Sequence, residues 1–306
     1  MTDDKARVIL NGKSAQIAEV RAAVKALRDA GAKLEVRVTW EAGDALRFCA
    51  EASREGISRL IAGGGDGTVN ELVNGLMRLD RGQRPALGVL PLGSANDFAN
   101  GAGIPLEPRL ALALALEARP RWADVVRLGG QYYLNMASCG FGAEVTSSTP
   151  KALKRLLGGG AYSLMGALQA WRYQPYQGRL SWPEGESVAP LFLLAIGNGC
   201  QAGGGQRLAP SAKLDDGLLE VLIVRDFESL SGLKQALDEL EALPASGDYV
   251  EYFQTTRLRF DSDAGLPLTL DGEPFEWTRF EAEVLTGELL LLLPAKCPLL
   301  SLDPGG

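Results

Sequence analysis

Short apolar runs alternate with amphipathic stretches over the first third of the chain. Glycine or polar residues bound each run, which predicts buried strands, and apolar residues recur at helical spacing between the runs. Alternating strands and helices predict an α/β domain with a parallel sheet and helices on both faces. The predicted strands are residues 6–10, 34–39, 59–62 and 86–90, and the predicted helices are 15–30, 44–54, 69–79 and 109–118, with another opening within 91–98.

The pattern changes near residue 123, after which runs typical of strands dominate. Helical patterns are few, and they cover residues 151–172 and 230–243. We therefore predict an α/β domain over residues 1–123 and a mainly antiparallel β-sandwich domain over 124–293, with 294–306 returning to the first domain. The strand-like runs are 125–128, 132–137, 191–196, 218–224, 255–260, 267–270, 280–285 and 288–293.

Composition narrows the possible chemistry. The net charge of −7 argues against general nucleic-acid binding, and four cysteines without a C-x-x-C pair fit a reduced cytosol rather than a zinc site. The chain has no histidine, so Asp, Glu, Lys or Tyr must move any catalytic proton. The first residues lack the apolar core of a signal peptide, and the longest leucine run, 289–293, is too short to span a bilayer.

Residues 63–71, Gly-Gly-Gly-Asp-Gly-Thr-Val-Asn-Glu, follow a predicted strand and precede a predicted helix. Consecutive glycines let a ligand approach main-chain N–H groups, and such groups beside a helix N-terminus bind anions. Thr68 and Glu71 match a capping box that would start the helix at Thr68. A dinucleotide fingerprint would need glycine in place of Thr68, so a phosphate-binding turn of another kind is predicted.

Polar residues stand at the carboxyl ends of all four predicted strands. They are Asn11, Thr39, the glycine turn and the pair Gly93 and Ser94. Ligands of parallel sheets bind beyond these ends, which predicts one shared crevice. Ser94 and Asn96 could contact a ligand or cap the next helix. Gly-Lys-Ser at 12–14 looks like the end of a Walker loop, but the match fails because Arg7 occupies the position of the first glycine, which favours a plain strand-to-helix turn.

Three motifs in order resemble the diacylglycerol kinase catalytic family, and more narrowly the bacterial YegS-type lipid kinases. They are residues 63–71, Pro-Leu-Gly-Ser-Ala-Asn-Asp-Phe at 91–98, and Leu-Asp-Gly-Glu at 270–273. A Gly-Gly-Asp-Gly alone also occurs in NAD kinases and phosphofructokinases, but the set is specific. The resemblance implies a nucleotide-binding α/β domain followed by a β-sandwich domain. Further matching segments are residues 9–14, 37–41, 196–199, 201–206 and 215–219.

The resemblance also implies where ATP and its Mg²⁺ bind. Asp66 could reach a nucleotide-bound Mg²⁺, since hard cations prefer carboxylate oxygen. Many family members carry threonine where this chain has Ser94, and the hydroxyl is retained. The implied ATP-binding residues are Thr39, Gly65, Asp66, Gly67, Thr68, Val69, Asn70, Glu71 and Ser94.

The motif at 270–273 supplies the candidate base. Phosphoryl transfer needs one group to accept the proton of the nucleophile, and in a chain without histidine this should be a carboxylate. The resemblance assigns that role to Glu273, with Asp271 as a nearby helper or competitor. As an alternative, Asp271 and Gly272 simply form a hairpin turn.

A second Mg²⁺ site is implied by the resemblance, formed by Asp216 and the carbonyls of Lys213 and Leu218, with a structural or regulatory role. One carboxylate and carbonyl oxygens suit such a cation. Strand alternation cannot aim both Asp215 and Asp216 at one ion. The alternative is a solvated Asp-Gly turn.

Residues 145–183 form a basic, apolar stretch in an acidic protein. They contain Lys151, Lys154, Arg155, Arg172 and Arg179 but no acidic residue before position 184. This pattern fits a surface that faces a membrane or an acyl chain, and it fits equally a core helix with solvated basic ends.

Together with the phosphate-binding turn, the resemblance implies an ATP-dependent lipid kinase that acts on a phosphatidylglycerol- or diacylglycerol-like hydroxyl. The alternatives are a soluble-substrate kinase such as an NAD kinase, and a nucleotide-binding regulator without catalysis. We expect a cytoplasmic protein, with peripheral contact at the inner membrane surface as one option. No residue selects among candidate lipids, and the oligomeric state and metal preference are not predicted.

Overall fold

Four parallel strands form the sheet of the amino-terminal half. In this computed structural model, residues 5–140, 175–227 and 229–301 are described. The strand order is β4–β3–β1–β2, and β1, β3 and β4 are almost wholly buried because helices cover both faces. The strands are β1 (Ala6–Asn11), β2 (Leu34–Thr39), β3 (Arg59–Gly64) and β4 (Ala86–Pro91).

Two helix pairs cover this sheet. One face of α1 is buried in the core. Its buried residues, Val20, Ala23 and Val24, have the i, i+3, i+4 spacing that places side chains on the same face of a helix. Gly75 lets α3 approach α2 closely, since a Cβ there would lie 2.7 Å from Sγ of Cys49. Helix α1 packs against α5, and α2 against α3. The helices are α1 (Ala18–Asp29), α2 (Asp44–Arg54), α3 (Asp66–Leu76), α4 (Asp97–Ala102) and α5 (Pro108–Glu117).

The carboxyl-terminal half is built from antiparallel strands in a sandwich-like arrangement, with one described helix, α6 (Leu230–Glu241). A separate apolar cluster lies between these strands. The strands are β5 (Arg121–Leu128), β6 (Gln131–Tyr133), β7 (Met136–Gly140), β8 (Arg179–Trp182), β9 (Gly185–Ser187), β10 (Leu191–Gly197), β11 (Leu219–Arg225), β12 (Val250–Thr255), β13 (Arg257–Leu270) and β14 (Glu273–Leu291).

Strand β14 joins the two halves. It begins at Glu273 beside β13, and its last residue, Leu291, pairs in parallel with Leu87 of β4. The sheet therefore runs continuously in the order β12–β11–β10–β7–β13–β14–β4–β3–β1–β2. This continuity fixes the β13–β14 turn relative to the ends of the parallel strands.

The chain after β14 packs against both halves. The N–H of Leu214 donates to the carbonyl of Leu299 (2.7 Å), and a Cβ on Gly101 of α4 would lie 3.6 Å from Leu299. The domain boundary between residues 123 and 124 stays a prediction. Residue 124 lies within β5, which pairs with β14.

The predicted fold class is confirmed, while several element bounds differ. Residues 257–260 and 267–270 of two predicted runs belong to one strand, β13, because a bulge between Asp261 and Leu266 carries the strand through the polar gap between them, while Thr255 ends β12. The run 132–137 divides into β6 and β7, and β8, β9 and most of β12 were not predicted. The predicted helix at 151–172 lies outside the described residues.

Candidate active site

The ends of the parallel strands are tied together by short contacts. Nδ2 of Asn11, at the end of β1, donates to Oγ1 of Thr68 (3.2 Å). The N–H of Leu92, just beyond β4, donates to the carbonyl of Gly64 (2.8 Å). Thr39 ends β2, and a Cβ on Gly12 would lie 3.7 Å from its carbonyl oxygen. The four predicted loops therefore meet at one edge of the sheet.

Close neighbours explain the glycines of the turn. A Cβ on Gly64 would lie 2.2 Å from Oγ1 of Thr68. A Cβ on Gly93 would lie 2.5 Å from Cα of Gly65, so the turns after β3 and β4 touch backbone to backbone. None of these glycines has a positive φ. Lack of space for a side chain, rather than a left-handed backbone, requires glycine here.

Helix α3 begins at Asp66, with Gly65 as its N-cap. The predicted capping box is therefore wrong, since Thr68 lies inside the first turn and its hydroxyl meets Asn11. The first N–H groups of a helix have no partner within the helix. Those of Asp66, Gly67 and Thr68 consequently lie in the turn that was predicted to bind phosphate.

The carboxylate of Asp66 caps the neighbouring helix α4. Its oxygens accept from the N–H groups of Asp97 (3.2 Å) and Phe98 (3.1 Å). Burial raises the pKa of Asp66, and these two hydrogen bonds oppose that rise. Asn96 is the N-cap residue of α4, as one predicted alternative had it, but its side chain makes no capping bond and instead bonds both backbone groups of Gly93 (2.8 and 2.9 Å). Ser94 precedes the cap. Each Asp66 oxygen still has a lone pair available for a cation.

Asp97 is a site residue that sequence reasoning missed. Its buried carboxylate accepts from the N–H groups of Gly204 (2.9 Å) and Gly205 (2.7 Å). Residues 203–205 all have positive φ, so the loop needs glycine for its backbone conformation. Asp97 thereby fixes a loop of the carboxyl-terminal half to the start of α4. The sequence offered one signal of a role for Asp97, namely an acidic residue directly before the apolar residues Phe98 and Ala99.

The turn between β13 and β14 consists of Asp271 (φ 49°) and Gly272 (φ 93°). Two central residues with positive φ make the two-residue hairpin turn that an Asp-Gly pair favours. Leu270 and Glu273 pair across it. The hairpin alternative is thus realised, and the turn also lies at the crevice.

Asp271 holds the segment between β6 and β7 in place. Its carboxylate accepts from the N–H groups of Leu134 (3.0 Å), Asn135 (3.1 Å) and Met136 (2.8 Å). Burial raises its pKa to about 6, although these N–H groups favour the charged form.

Two asparagines of α3 hold that helix against the second half. Nδ2 of Asn70 donates to the carbonyl of Tyr132 (3.1 Å) and lies 3.4 Å from Oδ2 of Asp271. Asn74 forms a pair of hydrogen bonds with the backbone of Tyr132 (2.8 and 3.0 Å). These bonds set the distance between the glycine turn and the hairpin.

Glu273 reaches the glycine turn from the second half. A Cβ on Gly67 would lie 2.6 Å from its Oε1, although Glu273 itself is exposed. Burial raises the pKa of Glu71, and the charge of Glu273 raises it further. An accessible carboxylate therefore stands at the N-terminus of α3.

A cleft of about 280 Å³ adjoins these groups. Its lining includes the polar residues Asp66, Ser94 and Asp271. The cleft can therefore contact both polar and apolar parts of a ligand. Its apolar lining residues are Met136, Cys139, Leu193, Ala202 and Leu208.

The residues predicted for a second Mg²⁺ lie in the loop before β11. Oδ1 of Asp216 accepts from the N–H of Leu218 (3.0 Å), which is the geometry of an Asp-Gly turn, and Nζ of Lys213 donates to Pro298 (2.7 Å). Asp124, missed from the sequence, accepts from Gly217 and Gly287 (both 2.8 Å). Within the described ranges, no group of three or more Asp, Glu or Cys side chains has a metal-binding arrangement.

Electrostatics in this loop nevertheless suit a cation. Burial raises the pKa of Asp216, and the charges of Asp124, Glu220 and Asp215 raise it further. A bound cation would offset this repulsion, and its ligands would be one carboxylate and backbone carbonyls, as hard cations prefer.

The proposed membrane-facing stretch lies mostly outside the described residues; Arg179 is described and pairs with Glu186 (2.9 Å). In the part of the chain that is described, no helix has the length and apolar character to cross a membrane.

Comparisons with known proteins agree with the two halves of the structure. Residues 5–128 match the family model of the diacylglycerol kinase catalytic domain, and residues 135–293 match that of the YegS C-terminal NAD kinase beta sandwich-like domain. A crystal structure of a diacylglycerol kinase from Bacillus anthracis str. Sterne has a TM-score of 0.73 at 23% identity, with 95% of this chain and 97% of that chain covered. It shows the fold alone.

Curated relatives extend the match over nearly the whole chain. A "Probable lipid kinase YegS-like" of Chromohalobacter salexigens is 64% identical over 294 residues, which cover 96% of this chain and 94% of the relative. Another of that name from Pseudomonas aeruginosa strain UCBPP-PA14 is 46% identical over 308 residues, with 99% of each covered. The chain therefore belongs to the YegS-like lipid kinase family and is an enzyme of the kinase class.

Proposed function

We propose that the protein transfers the γ-phosphoryl group of MgATP to the hydroxyl of a phosphatidylglycerol- or diacylglycerol-like lipid. One observation carries the proposal. Glu273 reaches Gly67 at the N-terminus of α3, near a cleft lined by polar and apolar residues. A carboxylate, the first N–H groups of α3 and apolar side chains thus stand together.

The nucleotide would lie along the ends of the parallel strands. The N–H groups at the start of α3 are oriented to receive phosphate oxygens, and the positive end of the helix dipole favours them. Hydroxyls of Thr39 and Ser94 would add hydrogen bonds. A Mg²⁺ bound with the nucleotide would neutralise phosphate charge, and Asp66 is the carboxylate we assign to it. The remaining assigned contacts are Gly65, Gly67, Thr68, Val69, Asn70 and Glu71.

Glu273 would accept the proton of the lipid hydroxyl as the hydroxyl oxygen bonds to the γ-phosphorus and the bond to the ADP oxygen breaks. Its exposure leaves the carboxylate free to receive a substrate hydroxyl. Asp271 would contribute by fixing the turn that carries Glu273, since its own oxygens accept three backbone N–H groups.

The acceptor would enter the cleft with its hydroxyl towards the hairpin turn that carries Glu273 and its apolar part against Met136 and Leu193. The apolar lining residues and the names of the relatives favour a lipid over a soluble acceptor such as NAD. A cytoplasmic location with peripheral membrane contact, and a second Mg²⁺ held by Asp216 with the carbonyls of Lys213 and Leu218, are parts of the same proposal.

The test uses the full chain with labelled ATP, Mg²⁺ and a fractionated lipid extract, with NAD as the acceptor in a parallel reaction. We expect a labelled lipid and no labelled NADP. Glu273→Gln should lower kcat by about 10²-fold or more, as removal of a general base does, while ATP affinity is retained.

Glu276→Gln is the matched control, because Glu276 is another exposed glutamate on β14. Near-normal turnover of Glu273→Gln would overturn the assignment of the base. Labelled NADP would favour the soluble-substrate kinase, and ATP binding without transfer to any acceptor would favour the regulator.

A further inference from the structure

Trp40 is an exposed tryptophan on a fixed turn. It follows the last residue of β2, and 93% of its surface is accessible. Oδ2 of Asp44 accepts from the N–H groups of Trp40 (2.7 Å) and Glu41 (3.2 Å). The hydrogen bond from Trp40 is the largest cause that lowers the pKa of Asp44 to about 2, and Arg47 and the N–H of Glu41 lower it further. The turn is therefore held in place while the indole has no cover of its own.

Trp40 lies on the same edge of the sheet as the glycine turn. Strand β1 separates β2 from β3, so the ends of β2 and β3 stand two strand spacings apart, or about 10 Å. Contacts connect these ends in sequence, from Thr68 to Asn11 and from Gly12 to Thr39. Trp40 is the next residue along this path.

The site leaves one direction for a nucleoside. With the phosphates at the start of α3, the cleft and Glu273 occupy the side of β4 and the second half. The acceptor must reach the terminal phosphate from that side. The ribose and base must then extend towards β1 and β2, where Trp40 lies. This step rests on the proposed function.

The other aromatic side chains of residues 5–128 are not available to such a base. Phe48 and Phe98 are buried. Trp122 belongs to β5 and stacks with the guanidinium of Arg81, 4.3 Å from its ring centroid. We infer that Trp40 stacks on the purine ring of the nucleoside triphosphate.

The inference predicts a contribution to binding rather than to chemistry. Stacking of a base on an aromatic side chain depends on the ring and little on its identity. Trp40→Ala should weaken ATP and GTP binding about tenfold and leave kcat at saturating ATP nearly unchanged. Trp40→Phe should keep part of the affinity, because phenylalanine retains a smaller ring.

The experiment measures equilibrium binding of ATP and inorganic tripolyphosphate by calorimetry, and quenching of intrinsic fluorescence by ATP, with the full chain. Tripolyphosphate has no base, so its affinity should be the same for wild type and Trp40→Ala. Quenching by ATP should disappear in Trp40→Phe. Trp122→Ala, which removes a tryptophan away from the strand ends, should retain both affinity and quenching.

Unchanged ATP affinity in Trp40→Ala would overturn the inference and leave the proposed kinase function intact. Equal losses of ATP and tripolyphosphate affinity would contradict it too, since they would place the effect on the phosphates. Loss of binding to anionic vesicles with unchanged ATP affinity would assign the indole to a membrane surface instead. A wild type that binds no ATP would refute both proposals.

Discussion

The turn after β3 and the turn between β13 and β14 meet at the candidate active site, yet they need glycine for different reasons. At the first turn, Gly64 and Gly65 have ordinary φ angles, but neighbours restrict the space for a side chain: a Cβ would lie 2.2 Å from Oγ1 of Thr68 at Gly64 and 3.1 Å from Cα of Gly93 at Gly65. At the second, Gly272 has a φ of 93° and open space around its Cβ position. One turn is constrained by packing and the other by its own backbone.

This difference decides what a substitution should do. A side chain added at the packed turn must move another segment, whereas one added at the hairpin must only adopt an unfavourable backbone conformation. The hairpin has a further constraint that the first turn lacks, because Asp271 satisfies N–H groups from a distant segment.

The largest expected effect is that of Asp271→Ala. At neutral pH it would leave the buried N–H groups of Leu134, Asn135 and Met136 without an acceptor and place alanine at a positive φ. We expect the free energy of unfolding to fall by about 3–5 kcal/mol, measured by urea denaturation. Asp271→Asn, which tolerates the same φ and keeps an amide acceptor, should lose less.

The pH dependence of these two proteins tests the burial of the carboxyl. Burial raises the pKa of Asp271 to about 6 in the folded protein, above its ordinary value of 3.8. Between about pH 4 and 6 the folded state keeps a proton that the unfolded state has released, so stability falls as pH rises through this window. The stability advantage of wild type over Asp271→Asn should shrink by at most about 3 kcal/mol from pH 4 to 6. A difference that does not change with pH would contradict this.

Gly93→Ala tests the packed turn. A Cβ on residue 93 would lie 2.5 Å from Cα of Gly65, so the backbone of one of the two turns would have to move. We expect a loss of about 2 kcal/mol in stability and a clear loss of ATP affinity, because the start of α3 must shift. Gly82→Ala is the control, since Gly82 has open space and no positive φ. Equal effects of the two variants would show that the turns after β3 and β4 do not touch.

Local pattern predicted the strand–turn–helix order around the first turn and offered a hairpin for the second, but it did not predict the contacts that fix them. Apolar runs indicated β3 and β4, and Asp-Gly indicated the hairpin. Asp97 binds N–H groups more than 100 residues away, and so does Asp271. A short-range pattern does not contain pairs of residues so far apart in the chain. Asp271 was therefore predicted only through the family resemblance, and Asp97 and Asp124 were not predicted.

Gly272→Ala isolates the backbone constraint of the hairpin. Alanine would meet no neighbour but would have to adopt a φ of 93°. We expect a loss of about 1 kcal/mol in stability, and Gly272→Asn should recover part of it because asparagine tolerates positive φ better. Equal losses for alanine and asparagine would point to a hidden steric contact and remove the distinction between the two turns.

Thr68→Val has the smallest expected effect and separates the observed start of α3 from the predicted one. A threonine at the N-cap with Glu71 as its partner would contribute about 1–2 kcal/mol. In the structure Gly65 is the N-cap, and the hydroxyl of Thr68 only accepts from Asn11 at 3.2 Å. Valine keeps the shape and loses that half-buried hydrogen bond, so we expect a loss of about 0.5 kcal/mol in urea denaturation. Glu71→Gln should not lower stability, because Glu71 makes no capping bond and its charge is disfavoured by burial and by Glu273. A loss of 1–2 kcal/mol in Thr68→Val would mean that the helix starts at Thr68 after all, and that Asp66 and Gly67 belong to the turn.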